Sequence, residues 1–315
     1  MLALPTYGFS QPTDISPEAD TMELGILCDW IEGSVLFDQE ELSTTDIVGI
    51  LMAESIYTDQ DLASAIVASA WNELKRRLRW IGQGSPFSFF RRTIRSKEVW
   101  EENPAYSFCI LLSMPQCYTG WKTSLRRGDY NEQGRLFELL TKVSLENQFS
   151  DWEVHQTGWS GTNVAKLSEI VDDIASRLGE IKGSIEPWAN PDGKDEGLDL
   201  LCYRPFPDNR GGFPVYLMQC ASGKSWIDKI RDPNLNVWTK MIPFTAKPGK
   251  AFAIPFALPE KEFKNRCNRF GGLLFDRYRL LAAANCNKEW VSDFLREEII
   301  DWMCPRIQTL PRYNK

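Results

Sequence analysis

Along most of the chain, apolar positions recur with a helical period, but one stretch breaks the rule. Gly197 to Phe206 and Phe213 to Trp226 contain two apolar runs separated by Pro207-Asp208-Asn209-Arg210-Gly211-Gly212, a set of turn formers ending in two glycines. Apolar runs bounded in this way predict a β-hairpin with antiparallel strands. Upstream, Met22–Phe37 and Ser43–Tyr57 read as helices. Asp59–Ile81 reads as a long amphipathic helix with Thr58 as N-cap, Asp61 in the first turn and the basic end Lys75-Arg76-Arg77-Leu78-Arg79. The apolar segment 105–116 fits either a helix or a strand, and 117–131 reads as a loop. Further on, the pattern predicts a helix over Glu132–Phe149, a strand over Asp151–Gln156 and a helix within Gly161–Gly183 closed by Gly179. A helix within Ser225–Phe244, a strand over Ala251–Ala257, an apolar segment over Leu273–Leu281 and a helix over Asn287–Met303, stopped before Pro305, complete the chain. The organisation predicted is a loose, Pro-rich arm over 1–20, a mainly helical domain over 21–130 and an α/β domain with a mixed sheet over 131–315.

Composition narrows this picture. With 315 residues, 43% hydrophobic content and 12 tryptophans, the chain can bury ample core and is not a disordered polymer. There is no run of about 18 apolar residues and no basic leader, which predicts a cytoplasmic protein without a membrane span. The eight cysteines, at 28, 109, 117, 202, 220, 267, 286 and 304, form no C-x-x-C pair and read as reduced thiols. A single histidine, His155, excludes histidine-rich metal sites.

The net charge of −7 argues against nucleic acid as a partner until its distribution is considered. Residues 1–70 hold 13 acidic and no basic residues, whereas the remaining 245 hold 36 basic and 30 acidic ones. The acidic part reads either as a solvated face or as a surface that docks a protein partner. Within the mildly basic remainder, Pro86–Ser96 interleaves phenylalanines with Arg91, Arg92 and Arg95. That mixture suits base stacking and phosphate contact, and it also suits a protected edge strand.

The hairpin carries the candidate chemistry. Antiparallel pairing sets Asp199, near the start of the first strand, beside Gln219, near the end of the second, and two side-chain oxygens at one point suit a hard divalent cation. The Gly-Leu-Asp start and the Gln-Cys end resemble the Mrr-like restriction endonuclease branch of the PD-(D/E)xK nuclease superfamily. The resemblance covers roughly 132–258. It implies a restriction-endonuclease-like mixed-sheet core and a Mg²⁺ site, with Mn²⁺ able to substitute, formed by Asp199 and Gln219. It also implies a helix Phe-Glu pair, here Phe137-Glu138, whose carboxylate reaches the metal, with Glu169 as a rival. The family lysine would fall at Ala221, so Lys224, just past the Ser222-Gly223 bend, is the candidate replacement. Asp195 reads as a turn former that could also contribute.

On this resemblance the protein is expected to be an endonuclease that hydrolyses DNA phosphodiester bonds as an effector of prokaryotic restriction or antiphage defence. An oligomer is compatible with it. Two other readings stay open. The first is a nuclease-fold subunit without chemistry that binds DNA or acts as a scaffold, motivated by the missing lysine. The second is a degenerate P-loop NTPase, because Ala221-Ser222-Gly223-Lys224-Ser225 resembles the second half of that motif and Leu273–Asp276 its metal-holding run, although Met218 stands where the first glycine belongs.

Overall fold

The computed structural model describes residues 1–5, 19–38, 41–160, 163–208 and 210–313. In chain order they form α1 (Ala19–Phe37), β1 (Leu42–Ser43), α2 (Thr44–Ala53), α3 (Gln60–Ile81), β2 (Phe87–Phe90), β3 (Thr93–Ser96), α4 (Pro104–Cys117) and α5 (Asp129–Gln148). Then come β4 (Glu153–Gln156), β5 (Trp159–Ser160), β6 (Asn163–Val164), α6 (Leu167–Leu178), β7 (Leu200–Tyr203), β8 (Val215–Cys220), α7 (Leu235–Met241) and β9 (Gly249–Ala253). The last elements are α8 (Glu260–Phe270), β10 (Leu273–Phe275), α9 (Arg277–Leu281) and α10 (Asp293–Gln308). They gather into two compact units, one of residues 1–130, 255–259 and 277–315, the other of 131–254 and 260–276. The predicted division near residue 130 is present. The C-terminal 277–315, predicted to belong to the second domain, instead belong to the first unit. No described helix is long and apolar enough to cross a membrane.

In the first unit, β1, β3 and β2 form a small antiparallel sheet beside the helices. Asp59, not Thr58, caps α3. Its extended backbone lets its carboxylate accept from Asp61 N at 2.7 Å. The ambiguous segment 105–116 is helix α4, buried on every side, so its apolar pattern carried no period to read. The arm is anchored where it is described. Leu2 is fully buried, Ala3 N donates to Pro311 O at 2.9 Å and the N-terminal ammonium pairs with Asp38 at 3.1 Å. The rest of that arm, 6–18, lies outside the described residues.

The acidic stretch and the basic end of α3 prove to be partly one structure. Arg77 is buried and pairs with Asp29 at 2.6 Å and Glu32 at 2.9 Å, and Arg277 of α9 reaches the same carboxylates at 3.0 and 3.4 Å. Burial pushes the Asp29 carboxyl up, but the two guanidiniums outweigh it and hold it below its ordinary range. Two of the thirteen acidic residues therefore serve neither a solvated face nor a docking surface.

The second unit is built on a mixed five-stranded sheet of order β10-β9-β8-β7-β4. β4, β7 and β8 are antiparallel neighbours, and β9 and β10 continue parallel to β8. The predicted hairpin is thus present, with Leu200 opposite Met218 and Tyr203 opposite Val215; Asn209 in its turn lies outside the described residues. One sheet face, including Leu201 and Leu217, packs on Leu167, Ile170 and Ile174 of α6 and on Trp238 and Met241 of α7. The helix predicted within 225–244 is α7, confined to the second half of that stretch. A 3-10 turn over Trp226–Lys229 precedes Pro233, whose missing N–H and fixed φ separate that turn from α7. The 273–281 segment divides into strand β10 and helix α9. The last helix, α10, runs through Pro305 to Gln308, because Arg306 ties its final turn to Thr123 O at 2.6 Å and to Asp129 at 2.9 Å.

Candidate functional site

The site begins at the turn that feeds β7. Asp195 closes it, accepting from Gly197 N at 3.0 Å through its carboxylate and from Leu198 N at 3.0 Å through its carbonyl. Gly197 sits at φ +70°, and a Cβ there would collide with Asp232 and approach the Gln219 amide oxygen to 2.9 Å. Glycine is required twice at this position, for backbone conformation and for space. Its closeness to Gln219 is what allows the next residue but one to join the site.

Asp199 follows, its N–H donating to Met218 O at 2.9 Å, so the hairpin register carries it level with Gln219. Its Oδ2 accepts from Cys220 N at 2.6 Å and from the Gln219 Nε2 amide, which also donates to Cys220 O at 3.1 Å. Both side chains are buried. Glu138 of α5 is buried as well, and its Oε2 accepts from Gln156 Nε2 of β4 at 2.7 Å. Gln133, one and a half turns earlier on α5, fastens that helix to the end of β8, its Nε2 donating to Ser222 Oγ at 3.1 Å and to Ser222 O at 3.3 Å.

Electrostatics join these groups. Burial raises the Asp199 carboxyl well above the carboxylate range, the negative charges of Glu138 and Asp195 raise it further, and the Cys220 N–H and the Lys229 charge oppose them. Burial likewise raises Asp195, against the lowering charges of Lys229 and Lys194. The structure therefore brings Asp199, Gln219 and Glu138 into one electrostatic environment. The rival Glu169 is exposed and caps its own helix, accepting from Lys166 N at 3.2 Å.

Lys224 is exposed and has no ion-pair or hydrogen-bond partner among the described residues. Ala221, where the lysine was expected, is buried. The ammonium whose charge reaches both Asp199 and Asp195 is that of Lys229, at the end of the Trp226–Lys229 turn. A helix placed only somewhere within 225–244 leaves this turn unspecified. Pro233 was the available signal that this segment would bend before its midpoint.

The donor set can be tested against a divalent cation. Among the described residues, no three His, Cys, Asp or Glu side chains gather closely enough to hold a metal ion. The oxygens at hand are instead those of two buried acids and of Gln219, whose amide nitrogen faces Asp199 and whose oxygen lies toward Gly197. A cation would relieve the repulsion that the Glu138 charge exerts on Asp199. Gln219 fits with its amide turned over.

The other candidates lie in the first unit. Arg91 and Arg92 form the turn between β2 and β3 and border a cavity, while Arg95 on β3 donates to Ser88 Oγ at 3.3 Å and is absent from that lining. The P-loop-like run 221–225 leads into a four-residue 3-10 turn, not the α-helix whose N-terminus would cradle phosphate. All eight cysteines are free, and five are buried. Compared with known protein families, curated proteins and solved structures, the chain shows no match.

Proposed function

We propose that the second unit is a Mg²⁺-dependent endodeoxyribonuclease of PD-(D/E)xK type, with Mn²⁺ able to substitute. The observation that carries this reading is the pairing of Asp199 and Gln219 on adjacent antiparallel strands, with Glu138 of the preceding helix acting on Asp199. The element order supports it: helix α5, strand β4, hairpin β7–β8, helix α7 and the parallel strand β9, with α6 inserted after β4.

Asp199 and Glu138 would hold the ion, with the amide oxygen of Gln219 and the Cys220 carbonyl as neutral partners. When bound, such an ion supplies an activated water and draws charge from the phosphate. The Gln219 amide nitrogen donates to Asp199 and to Cys220 O, and its oxygen would serve as a ligand with the amide turned over. Lys229 contributes the positive charge that the buried acids lack, in place of the exposed Lys224. A neutral glutamine in place of a carboxylate leaves the site one charge less negative, so tight metal binding would depend on substrate phosphate. The antiphage role rests on the family resemblance alone.

The test is incubation of plasmid DNA with the protein and Mg²⁺ or Mn²⁺ beside Asp199→Ala. The native protein is expected to nick or cleave, and the variant to lose about a hundredfold or more of the rate. Absence of cleavage by either protein would sink the reading. The burial of Ala221 and the exposure of Lys224 favour a second reading, an inactive DNA-binding subunit, in which both proteins retain DNA equally in a gel-shift assay and neither cuts it.

A further inference from the structure

A second concentration of chemistry lies in the first unit, and the metal-site residues take no part in it. Lys75 of α3 and Arg91 and Arg92 of the β2–β3 turn border one cavity of about 540 Å³. All three are exposed, and among the described residues none of them pairs with a carboxylate. Three cations facing one space without counter-charges repel one another, an arrangement that an anionic ligand relieves. Arg91 is moreover held at φ +55°, a conformation uncommon for a side-chain-bearing residue.

The remaining lining is specific in kind. Thr44 and Thr45, the first residues of the ten-residue helix α2, bring hydroxyls to the same space, while the helix end itself is closed by the Ser43–Asp46 capping box and by the Thr44 N–H, which donates to Arg92 O at 2.9 Å. Trp71 lines it too. It is 5% exposed, and its indole N–H is buried without an acceptor. An orphaned buried donor costs free energy unless a partner arrives, so its survival in a cation-rich pocket points to a ligand oxygen or ring nitrogen. Val48, Val67 and Ala68 supply an apolar wall, and the Asn72 amide sits among them. A volume of this size suits a ligand with an apolar body as well as a charged group.

We infer that this pocket binds a nucleoside phosphate. The phosphates lie against Lys75, Arg91, Arg92 and the threonine hydroxyls, and the base lies on the apolar wall within reach of Trp71 and Asn72. This site is independent of the proposed nuclease chemistry and stands or falls without it.

The experiment is calorimetric titration of the full chain with ATP, inorganic tripolyphosphate, adenosine and a ten-residue oligothymidylate. ATP is expected to bind more tightly than tripolyphosphate or adenosine. The double variant Lys75→Gln, Arg92→Gln changes only exposed side chains, so it should keep the native melting temperature and lose about tenfold or more in affinity, the scale of one charge-assisted hydrogen bond. Trp71→Phe, which keeps a ring and deletes the N–H, should weaken ATP while leaving tripolyphosphate unchanged. ATP binding that is undetectable, or equal in the double variant, would overturn the inference. Tripolyphosphate binding as tightly as ATP would remove the base from it, and oligothymidylate binding that ATP does not displace would replace the pocket with an open nucleic-acid contact.

Discussion

Asp199 sits where folding alone would not place a carboxylate, sealed from water and within reach of two other acids. Its folded pKa is raised, so between the unfolded value near 4 and the folded value the native state holds a proton that the unfolded chain releases. Stability must therefore fall as pH rises through that window. Asp199→Asn removes the titration. It is expected to raise the melting temperature by a few degrees at pH 8, with the gain shrinking as pH approaches about 4, in thermal scans across that range. A lower melting temperature for the variant at pH 8 would show that the charge costs nothing there. Millimolar Mg²⁺ should raise the melting temperature of the native protein and leave that of the variant unchanged. Residue identities were legible here to the extent that spacing carries them. Asp199 and Gln219 follow from one hairpin register, but the lysine does not, because its place depends on how the chain bends after β8.

At the scale of elements, strong local patterns gave helices and strands where they were anticipated, while segments buried all round or cut by proline did not. α4 is apolar on every face, and 225–244 changes from 3-10 turn to α-helix across Pro233. The elements of the first unit depend on a feature no periodicity encodes, the network joining α1, α3 and α9. Arg277 is completely buried, donating to Asp29 at 3.0 and 3.1 Å and to Pro255 O at 2.9 Å. Arg277→Met leaves Asp29 and Glu32 facing Arg77 alone, and chemical denaturation should show a loss of about 3–5 kcal/mol. A loss below about 1 kcal/mol would mean that Arg77 suffices to balance both acids.

At the largest scale, the first unit joins residues early in the sequence to 277–313, far along it. Truncation after Asp276 removes Arg277, α9 and α10 and leaves buried carboxylates under-paired. The truncated protein is expected to lose the helical circular dichroism of the first unit, whereas 131–254 and 260–276 retain every strand of the five-stranded sheet. Full retention of helicity would show that 277–315 are dispensable to that unit.

What the sequence determined by itself is what near neighbours impose: the hairpin and its register, the amphipathic helices, and the pairing of Asp199 with Gln219 that follows from strand alternation. The tertiary structure alone decided that Glu138 is buried and its charge raises the Asp199 carboxyl while Glu169 is exposed, that the Lys229 charge opposes that rise, that Asp29 and Glu32 are core residues, and that residues 277–315 return to the first unit. Turn propensity and side-chain period act over a few residues and can be read along the chain. Burial and charge pairing act between residues as far apart as Asp29 and Arg277, and they acquire a sign only once the chain has closed around them.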